Sequence, residues 1–151
     1  FRSAHISGVA VMLQREVAER LRAPVDTEHY GPLSVLVQYY AEPVWGFVVP
    51  PGAFTPRPRV DSAVIRLEWH AGVADNAPFT DFVHRAFGSR RKTLLNNLAA
   101  ISPGASREEL EGALAAAEIS VGARPENVSV AAFLRLYAAV PSSEGVRRRR
   151  V

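Results

Sequence analysis

At 151 residues, 48% hydrophobic and 22% charged, the chain is long enough for one sizeable core or two small ones, and its composition excludes a disordered polymer. No apolar run approaches the roughly 20 residues of a membrane span, and the start of the chain lacks the long apolar core of a signal peptide. The absence of cysteine excludes a disulfide framework and a thiolate metal site, which fits a reducing cytoplasm.

A net charge of +3 and a pI near 9.8 lean toward a polyanionic partner. Arg147, Arg148, Arg149 and Arg150 alone supply four charges, however, so the body of the chain is near neutral and local clusters must carry the case. All but one of the 18 basic residues are arginine, the exception being Lys92. Arginine pairs with phosphate through a planar fork and stacks on bases, although a GC-rich genome produces the same bias.

The chain opens on Phe1 rather than Met and enters an apolar strand almost at once, so it is expected to be a fragment of something longer. Residues 6–13, Ile-Ser-Gly-Val-Ala-Val-Met-Leu, have the pattern of a parallel strand buried on both faces. Residues 14–22 follow as a short helix with Val17, Ala18 and Leu21 apolar and Glu16 four residues before Arg20; Pro24 ends it. Gly31-Pro32 opens a segment in which Leu33, Leu36, Val37 and Tyr40 fall at helical spacing, with Pro32 at the first helical position. Val35, Val37 and Tyr39 would also suit a strand. Residues 44–49 form a short strand.

The next stretch is the most informative. Pro50, Pro51, Pro56 and Pro58 fix φ and push the residues before them toward extended geometry, so Phe54, Arg57 and Arg59 stand on a loop with little freedom left to lose. One aromatic and two arginines held this way suit a nucleobase-handling loop. After it, Ala63, Ile65, Leu67 and Trp69 alternate with Val64, Arg66 and Glu68, a half-buried strand expected to pair antiparallel with residues 44–49. Trp45 and Trp69 are expected in the core. Residues 71–78 read as a linker.

Beyond it the pattern is helical. Phe79, Phe82, Val83, Ala86 and Phe87 form one stripe, and Leu94, Leu95 and Leu98 continue after Gly88. Ser106 with Glu109 is a capping box ahead of Leu110 and Leu114, and Ser129 can cap a last helix with Val130, Phe133, Leu134, Tyr137 and Val140. Four short helices make a small bundle, and residues 142–151 read as a basic disordered tail.

Four blocks in this order resemble the ribosomal RNA adenine dimethyltransferases that modify small-subunit RNA, with the erythromycin-resistance methylases as cousins. They are residues 11–21, Val-Met-Leu-Gln-Arg-Glu-Val-Ala-Glu-Arg-Leu; residues 30–35, Tyr-Gly-Pro-Leu-Ser-Val; the proline loop, residues 49–62; and residues 86–94, Ala-Phe-Gly-Ser-Arg-Arg-Lys-Thr-Leu, with Asn96-Asn97-Leu98. Residues 124–130 resemble the segment before the family's last helix. The resemblance implies an α/β plus α chain: the distal part of a Rossmann-like methyltransferase sheet in residues 1–72, with one parallel strand and an antiparallel pair, then a C-terminal helical RNA-binding domain in residues 73–141. It also implies S-adenosylmethionine as methyl donor for the parent enzyme. The family's Gly-rich donor loop and its Asn-Leu-Pro-Tyr-type motif have no counterpart here, so this chain is expected to lack the donor site and to be inactive alone.

The exocyclic amine of adenine is a poor nucleophile and is buried in folded RNA, so the base must be pulled out, stacked and aligned. By resemblance, Phe54 is the stacking surface for the target adenine, its alternative being a plug that closes the sheet edge. Arg57 and Arg59 would hold flanking phosphates or form a solvated edge. Arg90, Arg91 and Lys92, read as helical, fan over roughly 200°, so at most two can follow one RNA backbone; otherwise they are a solvated helix face. Gln14 and Arg15 sit at the strand end where open α/β sheets place ligands, or simply start a helix. Asp61 and Ser62 suit bracing better than catalysis. His5, His29, His70 and His84 have no ligand spacing, so no metal is expected. The partner implied is small-subunit ribosomal RNA or the immature small subunit, in the cytoplasm, with self-association through an open strand edge. The competing functions are a non-catalytic ribosome-assembly module and a DNA-binding helical module with the Arg90 cluster on its groove-reading helix.

Overall fold

The computed structural model describes residues 6–73, 75–89 and 91–141. The chain divides into two compact units, Phe1–Ala74 and Asp75–Val151. The first is α/β: β1 (Gly8–Gln14), α1 (Arg15–Leu21), α2 (Pro32–Tyr40), β2 (Ala41–Val49) and β3 (Ser62–Trp69). The second holds α3 (Ala77–Ala86), α4 (Leu94–Ile101), α5 (Arg107–Ala116) and α6 (Val130–Ala139).

The sheet has the order β1-β3-β2, and both outer strands run antiparallel to β3. The strand pair expected across the proline loop is present, with Trp45 opposite Ile65 and Val48 opposite Ala63 around an irregularity. The expected parallel strand is not: β1 lies in an antiparallel ladder with β3, Val11 opposite Ile65 and Leu13 opposite Ala63. An apolar run reports burial but carries no information about the direction of its partner. Burial on both faces also fails, since Val9 is 39% and Met12 51% exposed. Gly8 lets the two backbones close, because a Cβ there would sit 2.4 Å from the Leu67 carbonyl oxygen.

Period two is obeyed on β3. Ala63 and Ile65 are fully buried and, with Ala18 of α1 and Val35 of α2, form the core of this unit. The alternate set faces outward, with Arg66 exposed and paired to Glu68. Neither tryptophan is a core residue. Trp69 is 37% exposed at the end of β3, and Trp45 is half-buried beneath the Arg22 guanidinium, 5.4 Å from its ring centre.

The helical unit starts its helices where its polar residues direct. Asn76, Thr93, Ser106 and Ser129 each accept the backbone N–H of the third residue of the following helix, and Glu109 accepts the Ser106 N–H in return at 2.8 Å. Phe79, Leu94, Leu98, Leu114, Phe133 and Leu136 are fully buried between the four helices. Phe79 and Phe82 both pack on the Tyr137 ring, and Phe87 stacks on Phe133 at 5.6 Å.

Candidate nucleic-acid interface

In the first unit, β1 runs from Gln14 directly into Arg15 of α1. Arg15 is tied down at three points. Its N–H donates to the Asp61 carbonyl at 2.9 Å, its Nε donates to Glu19 at 2.9 Å, and its Nη1 lies 3.6 Å from the Asp61 carboxylate. The bond to Glu19 and then that carboxylate's charge, with a smaller contribution from Asp61, hold the guanidinium above its ordinary pKa. Arg15 therefore stitches the start of α1 to the start of β3, and Asp61 has the bracing role expected of it. Gln14, Pro51 and Arg59 share with them the lining of an open cavity of about 470 Å³.

Helix α1 is itself held by α2. Ser34 Oγ accepts the Gly31 N–H at 3.1 Å and donates to the Arg20 carbonyl at 2.6 Å. Gln38 Nε2 donates to the carbonyls of Leu21 and Ala23 at 3.2 and 2.9 Å. Two carbonyls of the last turn of α1, those of Arg20 and Leu21, are thus bonded by side chains of the next helix. The helix that opens at Arg15 is thereby tied to α2 at its other end.

The proline loop begins with a single 3-10 turn over Pro51–Ala53, closed by Ala53 N–H to Pro50 carbonyl at 3.0 Å and Phe54 N–H to Pro51 carbonyl at 3.3 Å. The Thr55–Pro56 peptide is cis. Phe54 is half-buried in extended backbone (φ −122°, ψ 150°), and Arg57 and Arg59 beyond it are exposed.

In the second unit, Arg91 and Lys92 are not on a helix. They occupy the turn between α3 and α4, because Thr93 caps α4 and so starts it one residue later. The expected fan around a helix axis does not apply to them; Arg90 lies outside the described residues, as do Arg147, Arg148, Arg149 and Arg150. The turn is well anchored. Lys92 N–H donates to the Ser89 carbonyl at 3.1 Å, Leu94 N–H to the Ala123 carbonyl at 2.8 Å, and the buried Asn97 amide to the carbonyls of Ala86 and Ser89 at 2.8 and 3.3 Å.

Residues 1–140 match the family model for ribosomal RNA adenine dimethylase. The chain belongs to the ribosomal RNA adenine dimethylase family. It is 42% identical over 134 residues to ribosomal RNA small subunit methyltransferase A of Lactococcus lactis, covering 86% of this chain and 46% of that one. It is 44% identical over 137 residues to the protein of the same name from Geobacillus kaustophilus, covering 87% and 47%. The chain thus spans about half the length of the curated relatives it matches. A crystal structure of a dimethyladenosine transferase from Plasmodium falciparum superposes with a TM-score of 0.71 at 21% identity, covering 87% of this chain and 56% of that one, and shares its fold. The 23S rRNA methyltransferase ErmE superposes with a TM-score of 0.60 at 26% identity, covering 89% and 55%.

In this dimethylase-family chain the four sequence blocks are the pieces just described: the end of β1 with α1, the start of α2, the proline loop, and the turn leading into α4. The cationic side chains of the chain divide sharply. Among the described residues, Arg15, Arg20, Arg66, Arg85, Arg107, Arg124 and Arg135 each face a carboxylate, and Arg22 lies over Trp45. Arg57, Arg59, Arg91 and Lys92 have no carboxylate within ion-pair distance and no side-chain hydrogen bond among the described residues. The Glu16–Arg20 spacing was read from the chain, and the i, i+4 acids beside Arg15, Arg85 and Arg107 could have been read in the same way. Asn97 carried no ion-pair signal; it stood out only as part of the Asn96-Asn97-Leu98 resemblance and as an asparagine inside a helix, where that residue is a poor former.

Proposed function

We propose that this chain is the RNA-facing distal part of an S-adenosylmethionine-dependent enzyme that dimethylates adenine N6 in small-subunit ribosomal RNA, and that it is inactive alone. In this reading residues 1–72 are the distal portion of the methyltransferase domain and residues 73–141 a helical RNA-binding domain. The observation that carries it is the charge division: the four described cations without carboxylate partners lie in two family blocks, Arg57 and Arg59 on the proline loop and Arg91 and Lys92 on the turn before α4. An arginine already bound to a carboxylate must give up that bond to meet a phosphate, whereas these four need not. Phe54 offers the target adenine a stacking face at the head of the loop, with Gln14 and Arg15 at the edge of the neighbouring cavity.

The residues of this chain do not fit the methyl donor. No strand among the described residues passes through a glycine-rich loop into a helix, and β1 enters α1 with no loop at all. The donor pocket is therefore assigned to other parts of the parent protein.

Transfer of labelled methyl groups from S-adenosylmethionine to unmodified small-subunit RNA by the full-length protein tests the reading. This chain alone is expected to bind that RNA and transfer nothing; transfer by the chain alone, or none by the full protein, would refute it. β1 is an edge strand with exposed Val9 and Met12, so self-association through that edge is expected, and a monomer in sedimentation at high concentration would count against it.

A further inference from the structure

We propose that Asn97 is a positioning residue that sets Arg91 and Lys92 for contact with RNA phosphates. This rests on the reading of those two cations given above. Asn97 is 5% exposed on α4, whereas its neighbour Asn96 is exposed. A buried carboxamide inside a helix is unfavourable unless its polar atoms find partners. Here Nδ2 donates to two carbonyls of the preceding segment, Ala86 at 2.8 Å and Ser89 at 3.3 Å.

Those two acceptors are the informative part. Ala86 is the last residue of α3, so its carbonyl is one of the orphan acceptors at a helix end. The Ser89 carbonyl also accepts the Lys92 N–H at 3.1 Å, so one amide group reaches the end of α3 and the foot of the turn that carries the cations. Gly88 N–H donates to the Arg85 carbonyl at 3.0 Å, so the chain leaves α3 in a tight turn in which a Cβ at Gly88 would lie 2.9 Å from that oxygen. On the far side, Thr93 caps α4 and Leu94 N–H is bound to the Ala123 carbonyl at 2.8 Å. Asn97 thus holds the N-terminal side of a turn whose C-terminal side is already fixed. Two exposed cations on a fixed backbone lose less freedom on meeting a phosphate track than two on a loose one.

The test is equilibrium binding of the whole chain to unmodified small-subunit RNA over a range of salt, because the slope of log affinity against log salt falls by about 0.7 to 0.9 for every phosphate that the protein ceases to neutralise. Asn97→Leu removes the donors at similar volume, and Asn97→Ser is the milder change. Both are expected to flatten the slope as far as Arg91→Ala/Lys92→Ala does, and adding either to that double variant should change nothing further. An unchanged slope, or a full additional loss in the combined variant, would overturn the proposal while leaving the RNA reading intact. If Arg91→Ala/Lys92→Ala itself leaves the slope unchanged, the RNA reading of this turn fails and the proposal falls with it. Should both Asn97 variants unfold, hydrogen exchange of the Lys92 amide in the unaltered chain decides. Protection comparable to the amides within α4 supports the proposal, and exchange at the rate of an open loop overturns it.

Discussion

The proline loop of the first unit and the cationic turn of the second present similar groups but are made rigid in different ways. Between Pro50 and Pro58 the chain is stiff because four pyrrolidine rings lock φ, and its backbone makes few bonds beyond one 3-10 turn. The turn that carries Arg91 and Lys92 contains no proline. Besides the local Thr93 cap, it is held by the Asn97 amide and the Leu94 bond to Ala123, interactions that exist only when the helical unit is packed. One rigidity is covalent and local; the other is tertiary and disappears with the fold.

Packing changes should therefore disturb the turn most. Phe133 is fully buried and stacks on Phe87 at the end of α3, so Phe133→Ala is expected to cost the helical unit about 3 to 5 kcal/mol in urea unfolding. It should also deprotect the Lys92 amide in hydrogen exchange; retained protection would mean that the turn is stiff by itself. A next-largest effect separates the units by pH. The Tyr30 phenol, buried in the first unit, is pushed up to about 12, chiefly by burial and then by the charge of Asp26. Because its folded pKa lies above the unfolded value, its contribution is whole below pH 10 and is lost as pH rises toward 12, on the order of 2 kcal/mol. Tyr30→Phe should flatten that alkaline limb of stability; an unchanged limb would place its origin elsewhere.

Phe54→Ala should weaken RNA binding by about 1 to 3 kcal/mol, the value of one base stacked on an aromatic, with a smaller change in the unfolding midpoint. The reverse pattern, reduced stability with unchanged binding, would make the ring the plug of the sheet edge. The smallest effect is expected from Pro58→Ala, which restores freedom to the unfolded loop and should lower stability by about 0.4 to 1 kcal/mol. A larger loss would mean that the loop too depends on packing made elsewhere.

The elements were legible where the signal was local. Ser106 and Glu109 marked the start of α5, Ser129 that of α6 and Pro32 that of α2, since a cap or an N1 proline acts on residues within one turn. The alternation on β3 correctly put Ala63 and Ile65 inside, but it overreached at Trp69, which lies at the end of the sheet and is 37% exposed. The cationic block was found from its residues and misplaced on a helix, because Leu94, Leu95 and Leu98 suggested a continuous stripe while the Thr93 cap delays the start.

The amino-acid order by itself determined membership of the dimethylase family and the four helices of the second unit. Those properties depend on neighbours a few positions apart. Only the tertiary structure decided that β1 pairs antiparallel with β3, that Arg15 is bound to Asp61 while Arg59 faces no carboxylate among the described residues, and that Asn97 reaches back to the end of α3. Each of these joins residues separated along the chain, and no local pattern encodes which distant partner a strand edge, a guanidinium or a buried amide will meet.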